Sequence, residues 1–271
     1  MSIWPNQMGG VRLGNRFYYN KFSQRSDEIY PLRKKVLGLG DSVINGGAQT
    51  DQDSLATSLF SNETGIQMLN ISAGSWGPDN CVAYLKEFGM FDASAVFLVV
   101  SSHDAHDNID FSKPVVGVHP SYPDKQYPCA LAEVIMRYGI PKLKKSLKIK
   151  DNKGLDPDQA VLSQDGTGID KKGIAFNSGF EELRLMCERD SIPFVVYLHA
   201  DKKENEAGRY NAQGREIIDW ANRNSVRLIK ELNHPLSKED YRDGIHINNK
   251  GQRKLANVME EVLINEYKLL D

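Results

Sequence analysis

Apolar residues in this chain fall into short unbroken runs, and the stretches between them carry helical periodicity. The clearest run is Ala95-Val96-Phe97-Leu98-Val99-Val100. A run of that length with no polar interruption predicts a parallel strand covered on both faces. Similar runs predict strands at 35–39, 67–71, 194–198 and 226–229. Asp51-Gln52-Asp53-Ser54 reads as a helix start, with Leu55, Leu59 and Phe60 on its apolar face. Helices are predicted at about 79–88 and 206–223, the latter with Ile217, Ile218 and Ala221 on one side. Leu255, Val258, Met259, Val262 and Leu263 recur at i, i+3, i+4, i+7 and i+8 and predict a last helix. Strands alternating with helices imply parallel βαβ units with right-handed crossovers, hence an α/β fold.

Two segments break this rhythm. Residues 1–33 are aromatic and polar with no clear period, and read as an irregular N-terminal arm. Residues 110–172 contain Pro114, Pro120, Pro123, Pro128, Pro141 and Pro157, with one helix predicted near 129–138. That is more chain than a connection between adjacent strands needs. It reads as an insertion after the third strand, placed as a lid or substrate wall, or else as a surface decoration. The whole chain, 1–271, reads as a single domain carrying these two additions.

Composition narrows the function classes. At 271 residues the chain can bury a full core without staples. A net charge of -2 gives no general reason to expect nucleic acid as a partner. Cys81, Cys129 and Cys187 are odd in number and widely spaced, so they suggest neither a disulfide framework nor a metal knot. No stretch approaches the roughly 18 apolar residues of a transmembrane segment. The opening residues lack a charged region followed by an apolar one, so a soluble chain without a signal peptide is expected. Lys142, Lys144, Lys145, Lys148, Lys150 and Lys153 form a basic run. It reads as a solvated face, or as a patch for an acidic polysaccharide or an anionic membrane surface.

The candidate chemistry begins at Ser42. The run Val36-Leu37-Gly38-Leu39 ends in Gly40-Asp41-Ser42, which puts a serine at the carboxyl end of a predicted strand. Far downstream, Asp243-Gly244-Ile245-His246 supplies an acid and an imidazole three residues apart. Serine is a weak nucleophile that needs a base and an oxyanion cradle. Ser42 would attack, His246 would act as general base and then acid, and Asp243 would orient the imidazole. Either motif alone could be structural: a capped strand end, or a turn before a helix.

Gly40-Asp41-Ser42 with Asp243-x-x-His246, in that order and separation, resembles the SGNH (GDSL) hydrolases. The resemblance spans about residues 36 to 251. It implies a flavodoxin-like three-layer α/β/α sandwich with a mainly five-stranded parallel sheet. It also implies ester hydrolysis through an acyl-enzyme, with no metal or organic cofactor. The family draws oxyanion donors from the serine backbone, a glycine in a second block and an asparagine in a third. Here the second block is Asn70-Ile71-Ser72-Ala73-Gly74-Ser75-Trp76-Gly77, and the donor falls to Ser75 or Gly77. The third block, where the family has Gly-x-Asn-Asp, reads Ser101-Ser102-His103-Asp104. His103 stands in the asparagine position and could donate in its place, while Asp104 keeps its position. Asp104 and Asp41 are expected beside the reacting groups rather than among them.

Other readings are weaker. His103-x-x-His106 with Asp104 and Asp107 invites a metal, but no matching ligands appear elsewhere, and no metal is expected. His199, at the end of the fourth predicted strand, either touches substrate or is structural. Trp76 either stacks on a sugar ring or packs. The expected activity is removal of a short acyl group, acetyl by analogy, from a carbohydrate or similar small alcohol. The alternatives are acyl transfer to a glycan by the same triad and a catalytically degenerate glycan-binding protein.

Overall fold

A computed structural model describes residues 10–12, 15–108, 127–140 and 175–270. The chain forms two compact units, Met1–Ile109 with Lys171–Asp271, and Asp110–Asp170. In the second, the described residues form a short helix, α4 (Ala130–Val134), which runs on as a wider π-helical turn over Ile135–Gly139. The rest of the 110–172 segment and its lysine run lie outside the described residues.

The first unit is built on five parallel strands: β3 (Lys35–Gly40), β4 (Gln67–Ser72), β5 (Ala95–Ser101), β6 (Phe194–His199) and β7 (Arg227–Lys230). Their order across the sheet is β4-β3-β5-β6-β7. The continuous apolar runs form these strands because both faces are covered. Alternate residues of β3 go to opposite cores. Val36 joins Ile44, Phe60, Phe97, Val99, Leu255 and Met259 on one side. Leu37 and Leu39 join Leu69, Leu85, Leu98, Phe180, Leu183 and Trp220 on the other. The first layer of helices is α2 (Ala56–Thr64) and α8 (Asn249–Glu260). The second is α3 (Pro78–Phe88), α5 (Gly179–Arg189) and α7 (Ala212–Arg223). This is the three-layer α/β/α sandwich.

The structure corrects four local expectations. The N-terminal arm is not wholly irregular: β1 (Gly10–Arg12) and β2 (Asn15–Phe17) pair as an antiparallel ribbon. The helix expected from Asp51 starts at Ala56, after a 3₁₀ turn over Gln52–Ser54. The single helix expected over 206–223 is two, α6 (Lys202–Ala207) and α7, because Gly208 caps α6 in the left-handed conformation. Helix α5 was not anticipated, although Phe180, Leu183 and Cys187 mark its buried side. Cys81 and Cys187 are buried and Cys129 exposed, all as free thiols.

Gly40 ends β3 where the chain must turn toward Ser42. Its φ is 151°, and a Cβ there would stand 2.4 Å from the Val99 carbonyl oxygen. Any side chain must push the turn that leads to Ser42 away from β5. Gly40→Ala is therefore expected to cost at least about 2 kcal/mol, read as a lowered urea midpoint. A midpoint equal to that of the unaltered protein would refute this close approach.

Candidate active site

Ser42 opens the four-residue helix α1 (Ser42–Asn45) directly after β3. Asp41 caps it by accepting the Val43 N–H at 2.8 Å. As the first helical residue, Ser42 keeps a backbone N–H with no intrahelical acceptor. Buried polar groups hold this turn. The guanidinium of Arg25, 1% exposed, donates to the carbonyls of Asn45, Gly47 and Thr50 at 2.5, 2.6 and 2.7 Å. Asn45 donates to Ser72 O, and Asn70 to Ile44 O, at 2.9 and 3.0 Å. Gln252 of α8 donates to Val43 O and accepts the Ala56 N–H, both at 2.9 Å. The last helix thus grips both the nucleophile turn and the start of α2.

The structure brings the three predicted groups together across 204 positions of chain. His246 Nε2 lies 2.8 Å from Ser42 Oγ, and His246 Nδ1 lies 2.7 Å from Asp243 Oδ2. With Nδ1 protonated, the ring donates to Asp243 and accepts from the serine hydroxyl. Asp243 Oδ1 accepts the Ile245 and His246 N–H groups at 2.9 and 2.8 Å. Burial pushes the Asp243 pKa up, but those two amides and the His246 ring outweigh it and hold the carboxyl below its ordinary range. The loop is closed on itself by the Tyr241–Ile247 bridge and by Arg242 N–H donating to His246 O at 2.7 Å. Arg242 also reaches Thr50 Oγ1 at 2.5 Å, tying the two loops together.

His199 plays a structural part. It is wholly buried at the end of β6, with Nδ1 2.5 Å from Glu231 Oε2 and Nε2 2.7 Å from the Ile245 carbonyl. Both partners are acceptors, so both ring nitrogens donate and the ring is an imidazolium. Glu231 also accepts the hydroxyls of Tyr197 and Tyr241 at 2.9 and 3.0 Å. Burial lowers the His199 pKa, but the Glu231 charge, its hydrogen bond and the Ile245 carbonyl outweigh it and push the value up to about 9. The pair holds the loop of Asp243 and His246 by its backbone.

The second and third blocks behave unevenly. The Gly77 N–H is already given to Asn80 Oδ1 at 2.8 Å, so Gly77 is corrected from oxyanion candidate to packing residue. A Cβ on it would fall 2.1 Å from the Asp107 carbonyl. Ser75 is exposed and sits in the left-handed region, with φ 60°. His103 turns its Nε2 toward Asp41 and Asp104, at 3.8 and 3.7 Å. His106 lies elsewhere, 2.8 Å from Glu216, so the two histidines do not share a site. Trp76 packs against Tyr84. Sequence reasoning missed Arg25, Glu231, Arg242 and Gln252. Of these, Glu231 directly after β7 and Arg242 beside Asp243 were the two with a positional signal.

No family model and no curated protein matches this chain. Solved structures do. One is a member of the lipolytic protein G-D-S-L family from Veillonella parvula, 10% identical, TM-score 0.43, covering 84% of this chain and 97% of that one. Another is an acetyl xylan esterase from the rumen bacterium Butyrivibrio proteoclasticus, 12% identical, TM-score 0.43, covering 90% and 67%. A third is a salicylyl-acyltransferase from a tetracycline biosynthetic pathway, 12% identical, TM-score 0.46, covering 90% and 57%.

The His199–Glu231 pair makes stability depend on pH in a definite direction. The folded pKa is raised from 6.5 to about 9, so the contribution is complete below 6.5 and disappears as pH rises through 9. Its size is on the order of 3 kcal/mol. Urea midpoints at pH 6, 7.5 and 9.5 are expected to fall more steeply for the unaltered protein than for His199→Gln. Parallel curves for the two proteins would remove the charge from His199.

Proposed function

We propose that this chain is a serine esterase of the SGNH type that removes a short acyl group from a carbohydrate or similar small alcohol. The observation that carries the reading is the continuous hydrogen-bonded line Ser42–His246–Asp243, at 2.8 and 2.7 Å. Ser42 Oγ attacks the acyl carbon as its proton passes to His246 Nε2. Asp243, held ionised by the two loop amides, supports the imidazolium that forms. The N–H groups of Ser42 and Ser75 are the candidate donors to the tetrahedral oxyanion. Collapse expels the alcohol, which takes the proton from His246. Water then adds to the acyl-enzyme by the same route and releases the acid.

The substrate class rests on the character of the rim. Asp243, Gly244 and Ser75 are exposed, and Ser42 and His246 are half-buried. Arg242, next to Asp243 in the chain, and His103, facing Asp41, are polar and half-buried. Such an open, polar mouth suits an ester displayed on a larger hydrophilic molecule, with a small acyl group entering at the serine.

A fluorophosphonate reacts with an activated serine, so the expected outcome is one adduct, placed on Ser42 by peptide mass spectrometry. His246→Ala should abolish it. With an acetylated sugar or p-nitrophenyl acetate, Ser42→Ala is expected to lower kcat/KM by at least about 10³-fold and Asp243→Asn by about 10²–10⁴-fold. Folded protein that neither labels nor turns over would defeat the esterase reading. Product analysis with a sugar acceptor then separates release to water from transfer to a hydroxyl.

A further inference from the structure

A cluster next to the triad is used by none of these steps. Asp41, one residue before the nucleophile, and Asp104, in the turn after β5, are both buried. His103 Nε2 lies 3.8 Å from Asp41 Oδ2 and 3.7 Å from Asp104 Oδ1, and the three atoms are all within 4.8 Å of one another. The remaining carboxylate oxygens are engaged: Asp41 Oδ1 by the Val43 N–H at 2.8 Å, Asp104 Oδ2 by the Ser101 N–H at 2.6 Å. One oxygen of each acid and one ring nitrogen are left, and they converge. Among the described residues Asp104 Oδ1 has no hydrogen-bond partner, although the residue is 1% exposed.

Hydrogen bonding does not account for this arrangement, because 3.7–3.8 Å lies beyond donor–acceptor range. Charge pairing reaches a single imidazole: among the described residues, the ion pairs of Asp41 and Asp104 lead to His103 and to no lysine or arginine. Two buried acids that share one imidazole are costly. A divalent ion would both neutralise the two acids and bridge the separation. Nitrogen and oxygen ligands stand ~2.0–2.2 Å from a zinc-class ion and hence ~3.3–3.6 Å from one another in a tetrahedron. The two distances from His103 Nε2, 3.8 and 3.7 Å, are a few tenths of an ångström wider.

We propose that Asp41 Oδ2, His103 Nε2 and Asp104 Oδ1 form a three-ligand site for a divalent transition-metal cation. Two carboxylates neutralise the ion, and an imidazole with two oxygens suits zinc or manganese. Because Asp41 adjoins Ser42 in the chain, the ion would lie near the turn that carries the serine. The site also accounts for a histidine where the resemblance led to an asparagine: an imidazole ligates a metal, a carboxamide does so poorly.

The test is calorimetric titration of chelator-treated, dialysed protein with ZnCl₂, MnCl₂ and CoCl₂ in turn. One equivalent of at least one ion is expected to bind with micromolar or tighter Kd, and Co²⁺ is expected to give a visible ligand-field band. His103→Gln and Asp104→Asn should each weaken binding at least tenfold, and His106→Gln, whose ring sits on Glu216, should leave it unchanged. Circular dichroism checks folding. His103 is partly exposed, so its variant carries the test should Asp104→Asn fail to fold. Absence of saturable binding by all three ions, or binding that His103→Gln retains, overturns the site. Fluorophosphonate labelling of Ser42 reads the esterase reading separately, so either proposal can fail alone.

Discussion

The position of β3 in the sheet governs the rest of the molecule. It pairs with β4 on one side and β5 on the other, so the chain leaves it in one direction and later returns to its opposite edge. Right-handed crossovers then place the two connections on opposite faces. The loops after β3 and β5 part at their carboxyl ends and leave a crevice at the point where strand order reverses. Ser42 stands on one lip of that crevice, and His103 follows the strand that forms the other. Gly40 allows β3 to lie against Val99 right up to the turn. The placing of Ser42 is in this sense a property of the sheet.

Polar groups taken out of water hold the lips in place. Arg25 spends its guanidinium on backbone carbonyls of the nucleophile turn, and Gln252 ties that turn to two helices. The His199–Glu231 pair reaches the Ile245 carbonyl and so fixes the loop that carries the acid and the base. Burying such groups is expensive, and a buried ion pair is a poor source of net stability. Its value lies in geometry. Each group is satisfied in one arrangement only, so loops that would otherwise sample many conformations are held to the one in which Ser42 meets His246.

Electrostatics divide the same region. Behind the nucleophile turn, Arg25 and Arg242 face carbonyls and a threonine hydroxyl. In front of it, Asp41 and Asp104 face one imidazole. The two sets meet at the four-residue helix that Ser42 opens.

The sequence by itself determined the sheet and picked out Ser42, Asp243 and His246, which the fold brings within hydrogen-bond reach. Strands such as Ala95–Ser101 are buried on both faces, and burial of that kind leaves an unbroken apolar run that can be read directly. Ser42, Asp243 and His246 were legible because each lies in a compact local motif. Helix α5 was missed although its buried positions, Phe180, Leu183 and Cys187, recur at i, i+3 and i+7. The break at Gly208 was missed because one glycine stops a helix through its conformation and not through hydropathy. What only the tertiary structure decided is which polar residue meets which: His199 with Glu231, Arg25 with the carbonyls after Ser42, Gln252 with Val43, and His103 with Asp41 and Asp104 instead of His106. Those pairings span from one residue to 209 positions of chain. They follow from where folded strands end, and no periodicity in the chain encodes them.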